Sequence, residues 1–391
     1  MSYSLIELDE IMLRRNSSIN PSKFPNEIFE LHSIPAFDTG TPEILEGSKI
    51  GSSKQCIQEN DVMISKIVPH IRRASVVCKK SDYRQIASGE WIIFRNEKIY
   101  PHYLKNLLIS DAFNLQFMST VSGVGGSLLR ARPAFVSKIK IPLPPLEEQR
   151  RIAEILDKAD ALIQNRKKAI EKLDELLQAT FIDMFGDPVT NPKGWIVEKL
   201  GKNILHANNG LSRRRKESEN VGDIVLRLQD VHYNGIHFEK ELNRIRLDDT
   251  EKNRYLVDVN DILFIRVNGN PEYVGRSAIF LGYKENIYHN DHLIRLKIKD
   301  TYNPLFLVHC LNSDQGKQII SKQIKTSAGQ HTISQSGIFA LDFYVPNKEL
   351  QDQWANFAQD IEKQKQKMQE QLEVQETLFK SLQQQAFNGQ L

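Results

Sequence analysis

The stretch from Ile141 to Asp187 leaves this chain the fewest choices. Pro144 and Pro145 cannot lie inside a helix, but they suit its entrance, where their missing N–H groups would have no partner. Glu147 and Glu148 follow and put negative charge at the positive end of the helix dipole. Ile152, Leu156, Ala159, Ile163, Arg166, Ile170, Leu173, Leu177, Thr180 and Met184 then recur at alternating steps of four and three. That spacing predicts a coiled-coil seam, and Gly186 with Pro188 ends it. At ~1.5 Å per residue, a helix over 146–185 would be roughly 60 Å long. An apolar stripe of that length needs a partner.

The same chain supplies one. Val345-Pro346, four residues, then Gln351-Asp352-Gln353 repeats Ile141-Pro142, four residues, then Glu147-Glu148-Gln149, an offset of 204. The same offset pairs Leu146 with Leu350, Phe135 with Phe339 and Gly125 with Gly329. A second helical pattern over 347–391 runs through Leu350, Trp354, Phe357, Ile361, Met368, Leu372, Leu378 and Leu382, with Gln364 and Gln371 interrupting its seam. Asp61-Val-Met-Ile-Ser-Lys-Ile also matches Asp261-Ile-Leu-Phe-Ile-Arg-Val, at an offset of 200. A period so long excludes a solenoid. The chain is a duplication: a globular domain over 1–145, a spacer helix over 146–185, a second globular domain over 186–346 and a second helix over 347–391.

Each globular part reads as mixed α/β within an α+β chain. In the first, strand-like runs Asp61–Ile67, Ser75–Cys78 and Trp91–Phe94 precede a helical patch after Pro101 and a final strand Phe135–Ile141. In the second, Ile224–Leu228, Asp261–Val267 and Ile294–Ile298 precede a patch from Leu305 to Leu311. No stretch approaches the ~20 apolar residues of a membrane span, and the N-terminus lacks a secretory signal. Three scattered cysteines argue against a disulfide framework and for a reducing, cytoplasmic compartment. The net charge of +3 names no partner. Its distribution is more useful: the positive excess lies on the globular parts, while both helical stretches are net negative.

Candidate contacts with an anionic polymer follow from that pattern. Arg130 and Arg132 flank the loop Val121-Ser-Gly-Val-Gly-Gly-Ser, and a mobile loop with fork-shaped donors suits guanine edges. Arg213, Arg214 and Arg215 belong to the densest basic run, which follows Asn208-Asn-Gly210. Adjacent cations repel unless an anion is near, which points to phosphate. Gln330 and His331, in the loop Thr326-Ser-Ala-Gly-Gln-His-Thr332, can donate and accept at base edges. Arg266 and Asn268 end the strand Asp261–Val267. The sequence shows no catalytic centre: Asn270-Pro-Glu-Tyr273 lacks the second proline of an adenine-methyltransferase box, and no histidine joins a cluster with metal spacing.

The Ile-Pro-Leu-Pro-Pro-Leu-Glu-Glu-Gln149 segment, the duplication, Ile34-Pro-Ala-Phe-Asp-Thr-Gly40 and Met184-Phe-Gly-Asp-Pro188 together resemble the specificity (S) subunits of type I restriction–modification systems. The resemblance implies two target recognition domains, separated by two long antiparallel coiled-coil helices with pseudo-two-fold symmetry. Each domain would read half of a split double-stranded DNA site. The helices would set the spacing and dock two methyltransferase (M) subunits, with restriction (R) subunits as further partners. No cofactor is then expected in this chain; S-adenosylmethionine, ATP and Mg would belong to the partners. A stand-alone modification enzyme and a coiled-coil scaffold that does not touch DNA are the alternatives.

Overall fold

The computed structural model describes residues 3–13, 17–79, 81–123, 129–213, 221–238 and 241–391. They form two compact units, one of 1–170 with 367–391 and one of 171–366. The division expected from sequence separates heads from rods. Packing instead gives each unit one head together with half of both long helices, Leu146–Phe185 and Lys348–Phe387.

In the 1–170 and 367–391 unit, strand Val62–Ser65 lies antiparallel between Ala74–Val76 and Trp91–Phe94. The central strand is buried along its length. Successive side chains point to opposite faces, so Val62 and Ile64 join one core while Met63 joins another with Trp91 and Ile93. A sheet covered on both faces explains the unbroken apolar run in the sequence. A five-stranded sheet runs in the order Ser18–Ile19, Lys54–Cys56, Arg84–Ala87, Ile28–His32, Glu43–Glu46. Helix Pro101–Leu108 buries Tyr103, Leu104, Leu107 and Leu108 in the cluster that also holds Ile152, Leu156 and Ala386 of the long helices. The expected strand from Phe135 to Ile141 is shorter. Pro133 starts a helical turn, Pro133–Val136, and the strand is Lys140–Leu143, antiparallel to Ser4–Glu7. Proline fixes the φ that a helical first turn needs.

The 171–366 unit repeats this plan. Ile262–Ile265 lies between Leu293–Ile298 and Ser277–Ile279, with Ile204–Asn209 beyond. Ile262 and Phe264 enter one core, Leu263 and Ile265 another. Buried Asp61 pairs with Arg95 at 2.5 and 2.7 Å, and buried Asp261 with Arg295 at 3.6 Å. The residues before them, Asn60 and Asn260, have φ of 71° and 72°. Asparagine tolerates that left-handed turn.

A buried glutamine locks each head to its helix. Gln149 accepts from Tyr100 N at 2.7 Å and donates to the carbonyls of Lys98 (3.0 Å) and Pro144 (2.8 Å). Gln351 accepts from Asn303 N at 2.9 Å and donates to Thr301 (3.1 Å) and Pro346 (2.8 Å). The structural repeat therefore aligns Gln149 with Gln351 and Pro144 with Pro346, two residues away from the alignment that Pro142 with Pro346 suggested. Side-chain identity misled there, and the hydrogen bonds to the backbone set the true register.

Within each unit the two helical halves run antiparallel. Arg151 meets Leu391 and Lys167 meets Glu376 in one unit; Asp174 meets Lys365 and Phe181 meets Trp354 in the other. The second helix uses a different seam from the one expected. Trp354, Ala358, Ile361, Lys365, Met368, Leu372, Gln375, Phe379, Leu382 and Ala386 are buried or half-buried in unbroken four–three alternation, while Gln364 is exposed and Leu378 is 58% exposed. Two phases compete in this sequence, and polar partners decide between them. Arg166 Nε donates to Gln375 at 2.8 Å and its Nη1 reaches Gln371, while Lys365 Nζ lies 2.6 Å from Asp174. Polar residues at seam positions fix register. Arg166→Ala strands both glutamines, and we expect a loss of about 1.5 kcal/mol, read from urea melts of the full chain; an unchanged midpoint would remove that role.

Candidate nucleic-acid interface

Lys325–Ser327 and Gln330–Thr332 form a hairpin where a loop was expected. Ala328 and Gly329 between them have φ of 48° and 77°. Two positive values in a two-residue turn match the natural twist of paired strands. Asn-Gly is the usual signature of such a turn, and alanine in the first place concealed it. Gln330–Thr332 also pairs with Val267–Asn268, making a three-stranded ribbon. Four candidates, Arg266, Asn268, Gln330 and His331, therefore come together.

Register sets the chemistry of that ribbon. Asn268, His331 and Thr326 lie directly opposite one another in one transverse row, so their side chains share a face. Thr326 Oγ1 lies 2.9 Å from His331 Nδ1, and Asn270 N donates to Asn268 Oδ1 at 2.9 Å. Arg266 lies two residues before Asn268, and its Nη1 donates to the Asp291 carbonyl at 3.3 Å. Thr326 and Lys325 are not singled out by the sequence; their only signal is a place opposite His331 and Thr332 in a hairpin that the sequence conceals.

The remaining candidates fare differently. Arg213 donates to Glu251 at 2.9 Å and to the Arg246 carbonyl, so a carboxylate of the protein supplies the anion that was expected to be a phosphate. Arg214 and Arg215 lie outside the described residues, as does Gly125 of the glycine loop. In the first head, Arg130–Ala131 pairs with Val121–Ser122. Ala131 N bonds to the Lys66 carbonyl as Ile333 N bonds to that of Arg266, so this strand holds the place of Gln330–Thr332. Arg130 lies 3.4 Å from Glu90, and the Arg132 guanidinium covers the Phe135 ring at 4.1 Å. The structure does not bring Arg130 and Arg132 into a row like that of the second head.

The other motifs have local structural contacts. Asn270 caps the turn Pro271–Tyr273 through Glu272 N. His232 and His237 stack at 4.2 Å. His289 is buried between the carbonyls of Tyr255 and Asn208, and burial pushes its imidazole down to about 4. Among the described residues, no group of three His, Cys, Asp or Glu could hold a metal ion, and no helix is long and apolar enough to cross a membrane.

Known proteins share this duplicated plan. Residues 27–175 match the profile of the type I restriction modification DNA specificity domain. The chain is 32% identical over 294 residues to the StySPI type I restriction enzyme specificity subunit of Salmonella potsdam, an alignment covering 69% of this chain and 62% of that one. It is 27% identical over 293 residues to the EcoKI specificity subunit of Escherichia coli K12, covering 70% and 62%. The chain is thus similar to type I restriction enzyme specificity subunits, and it spans under two thirds of the length of these curated relatives. A chain solved in work on assembly and conformational transition of the type I R-M system has the same fold, with a TM-score of 0.61 at 19% identity over 100% of this chain and 98% of that one.

Proposed function

We propose that this chain is the non-catalytic DNA-reading subunit of a type I restriction–modification complex in the cytoplasm. Each head reads one half of a bipartite double-stranded target. Two methyltransferase subunits dock on the paired helices, restriction subunits complete the complex, and S-adenosylmethionine, ATP and Mg are bound by those partners. The observation that carries the reading is the ribbon that gathers Asn268, Gln330 and His331, next to Arg266, on strands that also bear Lys325. A β-ribbon fits the DNA major groove, and base-edge side chains beside a lysine combine selection with grip.

The test is binding of the full chain, with its methyltransferase partner, to a pool of randomised duplexes. A two-part motif is expected. Lys325→Ala should weaken binding to all sequences alike and reduce the slope of log K against log salt by about 1. Methyl transfer by the purified chain alone, or the absence of any motif, would overturn the reading.

A further inference from the structure

We infer that Thr326 is a positioning residue that holds His331 as a hydrogen-bond donor, so that the Asn268–His331–Thr326 row selects a guanine. This inference rests on the DNA-reading function proposed above. The bond between Thr326 Oγ1 and His331 Nδ1 at 2.9 Å can run in two directions. An imine nitrogen accepts more strongly than a hydroxyl oxygen, so the hydroxyl donates to Nδ1. The ring proton then sits on Nε2, because the bond made by one ring nitrogen fixes the state of the other. His331 consequently offers an N–H and no lone pair beyond the ribbon.

Its neighbour in the row offers the same polarity. Asn268 Oδ1 is occupied by Asn270 N at 2.9 Å, which leaves the Nδ2 amide hydrogens to donate. Two donors side by side match the N7 and O6 acceptors of guanine. Adenine places a donor beside N7, cytosine presents a donor, and thymine has one acceptor next to a methyl group. The ribbon holds this pattern rigidly, since the register is fixed on both sides of His331 and the hairpin turns through Ala328 and Gly329 without slack. Charged side chains beside the row are Arg266, which precedes strand Val267–Asn268, and Lys325, on the strand Lys325–Ser327.

The experiment uses the full chain with its methyltransferase partner. Wild-type protein is expected to require guanine at one position of a half-site, and 7-deazaguanine there should weaken binding about tenfold. Thr326→Val frees the ring to adopt either tautomer, so preference for guanine over adenine should fall about tenfold. Thr326→Ser keeps the hydroxyl that donates to Nδ1, so this variant should keep the preference. His331→Ala should lose it, with the salt slope unchanged. A Thr326→Val protein that keeps its preference, or a Thr326→Ser protein that loses it as Thr326→Val does, would overturn the inference. Wild-type selectivity that survives His331→Ala would sink this inference and leave the proposed function standing. Absence of any sequence preference in wild-type protein would sink both.

Discussion

Acidified from about pH 7 to about pH 4.5, the 171–366 unit should lose its structure before the 1–170 and 367–391 unit does. Two imidazoles set this order. Burial holds both His289 and His309 down to about 4, whereas an unfolded histidine titrates near 6.5. Between those values the unfolded chain binds the extra protons, so stability falls as pH falls. Each histidine then costs roughly 3 kcal/mol once the pH is below about 4, from the ~1.36 kcal/mol that one pH unit represents. Asp261, whose carboxyl burial raises, acts in the opposite sense but only near the carboxylate range. In the other unit, burial pushes Glu30 up, but hydrogen bonds from Ser81, Gln85 and His32 outweigh it and hold the carboxyl low. Asp157 is likewise held low, its own burial outweighed by Asn106, Lys105 and His102. Depressed carboxylates keep their contribution until the pH drops below about 4.3. Hydrogen exchange of the full chain across this range resolves the two units. Simultaneous loss of protection, or a His309→Phe variant with unchanged acid sensitivity, would refute the argument.

Phe181→Ala should destabilise the same unit by about 4 kcal/mol. The ring is buried against Phe185, Phe306, His309 and Trp354, with centroids 5.0, 5.7, 4.4 and 5.3 Å away. Truncation removes that burial and leaves a hole among rigid aromatic rings that cannot collapse to fill it. Leu378→Ala provides the contrast, since a side chain 58% exposed should shift stability by no more than about 0.5 kcal/mol. Urea melts of both variants decide the matter. Similar losses would mean that the helix faces have been assigned to the wrong phase.

That contrast shows what the sequence can and cannot reveal. The first long helix is announced by prolines, acidic residues and a regular apolar spacing, and its ends fall where those signals lie. The second carries two overlapping apolar phases, and Leu378 favoured the one not used. Only the positions of Arg166 and Asp174 on the other helix decide between them. Central strands such as Ile262–Ile265 were legible because burial on both faces leaves a plain apolar run. The hairpin at Lys325–Thr332 was hidden because Ala328 adopts a backbone usually left to glycine or asparagine. Arg213 looked available for phosphate because Glu251, thirty-eight residues away in sequence, could not be placed beside it.

Gln149 and Gln351 fasten the heads without reading any side chain. Every atom they grip is a peptide nitrogen or carbonyl oxygen. Such a socket accepts any amino acids whose main chain follows the same path. Substitutions in the outer strands of a head can therefore accumulate while its mounting on the helix stays intact.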